Sequence, residues 1–282
     1  MPRIQRIATI TAVAAVVTAA APAADLAQTA ASVNPSRVAA STVHRPSGVP
    51  GKWRQVFSEE FTAKSTNRSK WNTGWFGDGI TQGVNADEVA CYDRANLVHG
   101  GTAVRMMFTR RAQVCGGKKK PYTGAMLNTM NKFEFTYGYV ETRMWVSGLK
   151  GKIVNWPGFW LNGHTWPRDG EIDIMEGLNG RAGYHLHWGG SPGGAKQMGS
   201  EVKGNFTGWH TFGVDWQPNS ITFYYDGRKA APINTSSYGR NPAPGNLIPA
   251  SKHYLIIGNS SAGPRPVATA SVFVDYVRIW QH

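Results

Sequence analysis

Residues 169–177 read Asp-Gly-Glu-Ile-Asp-Ile-Met-Glu-Gly, which places three acidic side chains inside an apolar run typical of a buried strand. This concentration is unusual, because the chain has 17 acidic residues against 30 basic ones. Side chains alternate between the two faces of a strand, so Glu171 and Asp173 share one face and Glu176 points to the other. A β-bulge at Ile174–Met175 would return Glu176 to the first face. The stretch therefore predicts a bulged strand that presents three carboxylates together.

Three carboxylates on one face repel one another, so their pKa values are expected to separate. Retaining glycoside hydrolysis needs such a separation, because one ionised carboxylate attacks while one protonated carboxylic acid donates to the leaving oxygen. With a bulge between them, Glu171 and Glu176 are expected to reach the ~5–5.5 Å separation of retaining enzymes. The alternative interpretation is an exposed strand whose acids face water.

The motif Glu-Ile-Asp-Ile-Met-Glu at residues 171–176 resembles the active-site signature of glycoside hydrolase family 16, in the longer, bulged form of laminarinase-like members. Flanking segments extend the resemblance over about residues 53 to 282. It implies that Glu171 is the nucleophile, that Glu176 is the general acid/base, and that Asp173 holds and tunes the nucleophile. No cofactor is required for this chemistry.

The N-terminal region is expected to lie outside the folded domain. Two arginines precede an apolar run at residues 7–21, and the small residues Ala21-Pro22-Ala23 follow, which is typical of a secretory signal peptide. The run is short for a membrane span, and no later segment is long and apolar enough to be one. The protein is therefore expected to be extracellular and not membrane-bound after cleavage. The expected divisions are a signal peptide (1–23), a flexible leader (24–50) and a catalytic domain (51–282).

The pattern of alternating segments and turns after residue 50 indicates the fold class. Many short alternating segments are joined by turns, in a chain with 33 Gly and 16 Pro, and no amphipathic helix or internal repeat is present. This pattern predicts an all-β sandwich of two antiparallel sheets. The family resemblance implies a concanavalin-like jelly roll of two curved sheets, with the catalytic strand on the concave sheet. An open cleft on that sheet suits an endo-acting enzyme, because a long polymer can lie across it.

Tryptophans near the carboxylates indicate sugar subsites, because sugars present flat apolar faces that stack on aromatic rings. The resemblance places Trp160, on the strand adjoining the catalytic one, and Trp216 in the cleft. Trp166 is also a candidate for substrate binding, although Trp156 and Trp166 fit core or loop packing equally well.

Polar residues are also expected to line the cleft. Asn259 matches a cleft-facing position of the family, and Asn128 is a further candidate to face the cleft. His185 and His187 share one face of a strand beside the catalytic one, and the resemblance implies that His187 or His185 hydrogen-bonds the acid/base or the sugar. A pair of histidines without a third ligand is more often polar lining than a zinc site.

Two structural features are expected outside the cleft. Cys91 and Cys115 are the only cysteines, so an exported protein would join them in one disulfide. Closing that loop stabilises the fold by ~3 kcal/mol in the chain-entropy model. The resemblance further implies a structural calcium ion at Asp275, completed by backbone oxygens near Gly101 and by Glu60.

The formal charge of +13 fits either an anionic partner or a cationic secreted protein without a charge-specific partner. No helix-turn-helix, RNP or zinc-finger spacing is present, so nucleic-acid binding is not expected. A monomer acting on a polysaccharide is the expected state.

The resemblance favours β-1,3-glucan or mixed β-1,3/1,4-glucan as the substrate. The alternatives are hydrolysis or transglycosylation of another polysaccharide, such as agar, carrageenan or an acidic exopolysaccharide, and a non-catalytic glucan-binding or lectin-like role. Such binders typically lack the glutamates that are present here. A serine hydrolase is poorly supported, because no Gly-x-Ser-x-Gly elbow occurs.

Overall fold

A computed structural model describes residues 44–190, 194–233, 243–263 and 265–282 of the chain. No helix within these residues has the length and apolar character needed to cross a membrane. The predicted signal peptide at 1–23 and the leader up to residue 43 lie outside the described residues.

The described chain is built almost entirely of strands. In chain order they are β1 (Arg54–Glu59), β2 (Ile80–Thr81), β3 (Ala90–Asp93), β4 (Leu97–His99), β5 (Val104–Met107), β6 (Gln113–Cys115), β7 (Lys118–Lys120), β8 (Tyr122–Asn128), β9 (Glu134–Phe135), β10 (Gly138–Val146), β11 (Gly148–Leu149), β12 (Lys152–Ile153), β13 (Trp156–Gly163), β14 (Glu171–Leu178), β15 (Arg181–Trp188), β16 (Lys196–Glu201), β17 (Gly208–Gln217), β18 (Ser220–Tyr225), β19 (Arg228–Lys229), β20 (His253–Ser260) and β21 (Ser271–Gln281). Short 3-10 helices lie at Arg94–Asn96 and Pro244–Leu247.

Two large sheets contain most of these strands. The first, called the cleft sheet here, has nine strands in the order β16-β15-β14-β13-β20-β8-β3-β2, with β9 beside β20. The second, called the back sheet, has eight strands in the order β19-β18-β17-β10-β21-β5-β4, with β1 beside β21. Neighbours pair antiparallel, apart from the parallel pair of β3 and β8. The predicted two-sheet antiparallel sandwich is therefore confirmed, and within the back sheet the first strand pairs with the last.

The core lies between the two sheets and follows from the period-two alternation of the strands. Ile172 and Ile174 of β14 and Phe159 of β13 are fully buried and pack in one cluster with Val214 and Ile279 of the back sheet. Full burial of a side chain of this size contributes roughly 1.5–3 kcal/mol. Because β14 buries one face in this core, its other face is turned away from the back sheet.

Residues 44–50 belong to the folded domain, although the sequence predicts them as the end of a flexible leader. The backbone oxygen of His44 accepts a 2.8 Å hydrogen bond from the indole of Trp280. The backbone N–H and the hydroxyl of Ser47 each donate a 3.1 Å hydrogen bond to the buried carboxylate of Glu141. Val49 is buried in a cluster with Trp280 and other aromatic residues of the back sheet. This short segment carries few apolar residues, so the sequence pattern does not reveal that the back sheet supplies its partners.

Candidate active site

The bulge predicted at Ile174–Met175 is present on β14. On the β13 side, Phe159 and Trp160 pair with Met175 and Asp173, so Ile174 has no partner there. On the β15 side, the register shifts between Asp173 and Glu176. An inserted residue of this kind re-aims the side chains that follow it. The prediction of a bulge on this strand is confirmed.

The bulge brings the three acidic residues to one side of β14. Glu171, Asp173 and Glu176 all border a groove, while Ile172 and Ile174 face the core. Asp173 lies between the two glutamates, since its carboxylate comes within 4.8 Å of an oxygen of Glu171 and also of an oxygen of Glu176. A histidine nitrogen lies at the same spacing on each side, so Glu171, Asp173 and His187, and likewise Asp173, Glu176 and His185, have the spacing of metal ligands.

The electrostatics of the three acids are dominated by burial. Desolvation raises the pKa of Glu171 well above its usual range, and the negative charge of Asp173 adds to the effect. Desolvation also raises the pKa of Asp173, followed by the negative charge of Glu176. Ionising Glu171 and Asp173 together would place two buried negative charges side by side, so this pair retains one proton more readily than isolated carboxyls do.

Three ring side chains contact these carboxylates. Trp156 Nε1 donates a 2.8 Å hydrogen bond to Oε1 of Glu176. His185 Nδ1 lies 2.7 Å from Oε2 of Glu176, but its N–H direction does not point at that oxygen, so this is a close electrostatic contact without an aligned hydrogen bond. His187 Nε2 lies 3.1 Å from Oδ2 of Asp173. The histidine beside Glu176 is therefore His185, whereas His187 supports Asp173.

The groove has two adjoining lobes that meet at the carboxylates. The smaller lobe, of about 60 Å³, is lined by residues that include Glu88, Tyr92, Trp160, Gly258 and Ser260. The larger lobe, of about 780 Å³, is lined by residues that include Trp75, Phe76, His164, Trp166, His187 and Gln197. Glu171 and Glu176 border both lobes, so a polymer lying along the groove would pass over them.

The structure places two of the predicted tryptophans in the groove. Trp160 lines the smaller lobe, where its ring lies against Gly158 and Gly258. A Cβ atom at Gly158 would approach the ring to 3.3 Å, so the absence of side chains leaves room for it. Trp166 lines the larger lobe and is 38% exposed, which leaves its ring free for a ligand.

Three predicted cleft residues lie elsewhere, and these predictions are wrong. Trp216 is on β17 of the back sheet, where it is 0% exposed and packs edge-on against the ring of His253 at 4.7 Å. Asn259 is buried and donates a 2.8 Å hydrogen bond to the backbone of Met106. Asn128 is buried and donates a 2.8 Å hydrogen bond to the backbone of Gly74, so it braces a loop beside the groove.

The two carboxylates predicted to bind calcium are each paired with an arginine side chain. Asp275 Oδ2 accepts a 2.9 Å hydrogen bond from Arg143, and the Glu60 carboxylate accepts two from Arg278, at 2.9 and 2.7 Å. Gly101 lies in the turn between β4 and β5 with a φ of 81°. Each carboxylate is thus matched by a guanidinium whose positive charge opposes metal binding. Among the described residues, the groups of three acidic or histidine side chains with metal-ligand spacing are those at the three acids of β14, and a calcium site completed by backbone oxygens stays a prediction.

The predicted disulfide between Cys91 and Cys115 is confirmed. Cys91 is on β3 of the cleft sheet, and Cys115 ends β6 of a separate two-stranded ribbon. The next residue of β3 is Tyr92, which lines the smaller lobe. The disulfide therefore ties the outer ribbon to a strand that forms one end of the groove.

Several groove residues could not be recognised from the sequence alone. Trp75 and Phe76 border the larger lobe, and Phe76 is 61% exposed with a positive φ of 51°. Such a conformation is a genuine outlier for a bulky residue and is found mostly at turns and functional sites. Glu88 borders the smaller lobe as a buried carboxylate that accepts hydrogen bonds from Ser260 and the backbone of Asn85. Nothing in the local sequence signals Trp75 and Phe76, apart from the aromatic pair itself, whereas Glu88 begins the segment 88–92, which resembles a short family motif at one end of the cleft.

The chain is similar to known proteins in sequence and in fold. A family model described as glycosyl hydrolases family 16 matches residues 85–278. The solved laminarinase of Rhodothermus marinus superposes with a TM-score of 0.64 at 25% identity, covering 82% of this chain and 98% of that one. The likeness supports the all-β jelly-roll fold.

Two relatives show a range of substrates. The glucan endo-1,3-beta-glucosidase A1 of Niallia circulans is 26% identical over 259 residues, covering 80% of this chain and 37% of that protein. The keratan-sulfate endo-1,4-beta-galactosidase of Sphingobacterium multivorum is 29% identical over 189 residues, covering 60% of this chain and 42% of that protein. In both cases the matched region is less than half of the relative's length.

Proposed function

The chain belongs to glycosyl hydrolase family 16, and on this premise we propose that it is a secreted, retaining endo-glycosidase that cleaves β-1,3-glucan or mixed β-1,3/1,4-glucan. One observation carries the proposal: a bulge on β14 gathers Glu171, Asp173 and Glu176 where the two lobes of the groove meet. The similarity to a glucan endo-1,3-beta-glucosidase and to a laminarinase supports the choice of polymer.

The first step forms a glycosyl-enzyme. Glu171, as a carboxylate, attacks the anomeric carbon and forms a C–O bond to it. Glu176, as a carboxylic acid, gives its proton to the glycosidic oxygen as the bond to the leaving chain breaks. For Glu171 to be ionised, the proton shared by the buried pair must lie on Asp173, which then donates a hydrogen bond to the nucleophile.

The second step releases the sugar with its configuration retained. Glu176, now ionised, takes a proton from a water molecule whose oxygen attacks the anomeric carbon, and the bond to Glu171 breaks. The Trp156 indole holds the Glu176 carboxyl in place through a 2.8 Å hydrogen bond. His187 Nε2 lies 3.1 Å from Oδ2 of Asp173 and positions that side chain beside the nucleophile.

The shape of the groove favours cleavage inside a chain. The two lobes lie on either side of the carboxylates, and each has an aromatic residue that can stack on a sugar, Trp160 in the smaller lobe and Trp166 in the larger. Sugar units on both sides of the cleaved bond would therefore contribute to binding, as an endo-acting enzyme requires.

A different polysaccharide is the second candidate substrate. The similarity to a keratan-sulfate endo-1,4-beta-galactosidase and the formal charge of +13 favour an anionic or galactose-containing polymer. The same three carboxylates would serve hydrolysis or transglycosylation of such a polymer. A non-catalytic lectin-like role is disfavoured, because both glutamates border the groove.

The test is reducing-sugar release by the mature protein from laminarin, mixed-linkage glucan, agarose, carrageenan and keratan sulfate, with Glu171→Gln beside it. Release from laminarin or mixed-linkage glucan that is lost in the variant is the expected result. Release from another polymer alone would establish the second candidate. Binding to a polymer without any release would overturn the hydrolase proposal.

The control variant is Glu201→Gln, which removes a carboxylate from β16 that is paired with Arg181 at the surface. It should leave the rate unchanged. Export is tested separately, by whether the protein in the culture medium of its host lacks the first ~23 residues, as a cleaved signal peptide requires.

A further inference from the structure

Tyr225 reaches the bulge of the catalytic strand from the opposite sheet. It is the last residue of β18 in the back sheet, and its hydroxyl lies 2.8 Å from the backbone oxygen of Ile174 and 2.9 Å from that of Gly183. Ile174 is the bulged residue without a partner in either neighbouring strand. Gly183 is the residue of β15 that pairs with Glu176. The hydroxyl therefore joins the bulge to the strand position beside Glu176.

This contact gives the backbone oxygen of the bulged residue Ile174 a hydrogen-bond donor. A carbonyl outside the sheet ladder in a dry core needs a hydrogen-bond donor, and leaving it unpaired is costly. The donor to the Ile174 oxygen is the Tyr225 hydroxyl, which crosses the sandwich from β18 of the back sheet.

The ring of Tyr225 is held firmly in this position. It packs edge-on against Phe212 at 5.2 Å and against Phe206 at 5.1 Å. Burial raises the pKa of its hydroxyl well above the usual range, and the nearby acids Asp173 and Glu176 act in the same direction. The group therefore stays protonated and remains a donor throughout the working pH range.

We propose that Tyr225 is a positioning residue for Glu176, whose hydroxyl keeps the bulge in the one conformation that aims this carboxyl at the glycosidic oxygen. The inference rests on the proposed role of Glu176 as the general acid/base. Tyr225 does not contact the substrate, because it lies in the core beneath β14. Its effect is expected in catalysis more than in binding, since a displacement of about 1 Å at a reacting group can cost about 100-fold in rate.

The test compares Tyr225→Phe with Tyr184→Phe. Tyr184 is a matched control, because it is also buried, stacks on Phe223 at 4.4 Å and donates its hydroxyl to a backbone oxygen outside β14, that of Ala231. Each variant loses one hydroxyl and its hydrogen bonding to the backbone. We expect Tyr225→Phe to lower kcat about 10- to 100-fold with KM changed less than about twofold, and Tyr184→Phe to keep kcat within about threefold.

A second readout separates misplacement of Glu176 from general damage. The substrate is a 2,4-dinitrophenyl β-glycoside of the sugar that the wild type cleaves, whose leaving group departs without a proton. Azide then attacks the anomeric carbon of the glycosyl-enzyme, the bond to Glu171 breaks, and a β-glycosyl azide forms without help from a general base. Azide is expected to accelerate Tyr225→Phe about fivefold or more with that product, and to leave the wild type and Tyr184→Phe unchanged.

A conservative replacement guards against a folding defect. Tyr225→p-aminophenylalanine keeps a donor at nearly the same place, so it should restore kcat even if Tyr225→Phe does not fold. The inference is overturned if Tyr225→Phe matches Tyr184→Phe in kcat, if azide has no effect on a slow Tyr225→Phe, or if the folded p-aminophenylalanine variant stays slow. If the wild type cleaves neither a polysaccharide nor an aryl glycoside, the proposed function fails together with the inference. If the wild type is active and one of the three results above is found, only the inference about Tyr225 fails.

Discussion

The indole of Trp156 donates a 2.8 Å hydrogen bond to Oε1 of Glu176, so the first residue of β13 supports the proposed acid/base of β14. A hydrogen bond to a charged group is worth about 1.5–3 kcal/mol. We expect Trp156→Phe, which keeps a ring but loses the donor, to lower kcat/KM about 10- to 100-fold, at 1.36 kcal/mol per tenfold. Steady-state kinetics on the polymer that the wild type cleaves would measure this. Trp166→Phe is the control, and an equal loss in both would show that ring shape matters and the hydrogen bond does not.

Burial of the three acids is expected to lower the free energy of unfolding at neutral pH, where carboxyl groups tend to ionise. Burial raises the pKa of Glu171, so the folded protein favours the neutral form of this side chain. Its contribution to the free energy of unfolding is fully present below the pKa of the unfolded chain, near 4.5, and is lost as the pH rises through the higher pKa of the folded state. We expect Glu171→Gln, which stays neutral, to melt several degrees above the wild type at pH 7 and to lose this advantage towards about pH 4. Thermal denaturation across this range is the measurement, and a gap that does not change with pH would contradict it.

The disulfide predicts a measurable share of stability. Cys91 and Cys115 are 24 residues apart, and closing such a loop is worth ~3 kcal/mol in the chain-entropy model. For a domain of this size, that corresponds to a loss of roughly 6–12 °C in Tm. We expect the double variant Cys91→Ser, Cys115→Ser to show this loss, and dithiothreitol to destabilise the wild type but not the variant. Equal sensitivity of both proteins to the reductant would contradict the prediction.

The exposed ring of Phe76 predicts a dependence on substrate length. Phe76 borders the larger lobe beside Trp75, with ring centroids 4.3 Å apart. Ring stacking is worth ~0.5–1.5 kcal/mol beyond burial, so Phe76→Ala should raise KM roughly two- to tenfold for oligosaccharides long enough to reach it. The shortest cleaved oligosaccharide should be unaffected.

Ile80→Ala is the matched control for Phe76. Ile80 is the first residue of β2, is 45% exposed and borders neither lobe. We expect Ile80→Ala to have the same KM as the wild type for oligosaccharides of every length. A rise in KM for Phe76→Ala that is the same for all lengths would place its effect at the carboxylates and contradict a distal subsite.

Much of the catalytic strand could be predicted from the sequence. The alternation of Glu171, Ile172, Asp173 and Ile174 is a local property of a strand with one buried face, and the extra residue before Glu176 signals the bulge. The disulfide followed equally simply, because only two cysteines exist.

Only the tertiary structure shows which distant residues contact the catalytic strand and the predicted calcium ligand. Tyr225 and Ile174 are far apart in the chain and meet because the two sheets pack face to face. The carboxylate of Asp275 faces the guanidinium of Arg143 because β21 lies beside β10, so a residue that resembles a calcium ligand forms an ion pair instead.

The sequence by itself determined the strand, its bulge and the three carboxylates, because side-chain alternation depends on a few neighbouring residues. Only the tertiary structure decided which polar and aromatic residues face the groove. Trp216 illustrates the reason: its strand joins the back sheet, so the face that it presents is buried in the core. Sheet membership and register depend on contacts between distant parts of the chain, which no local pattern records.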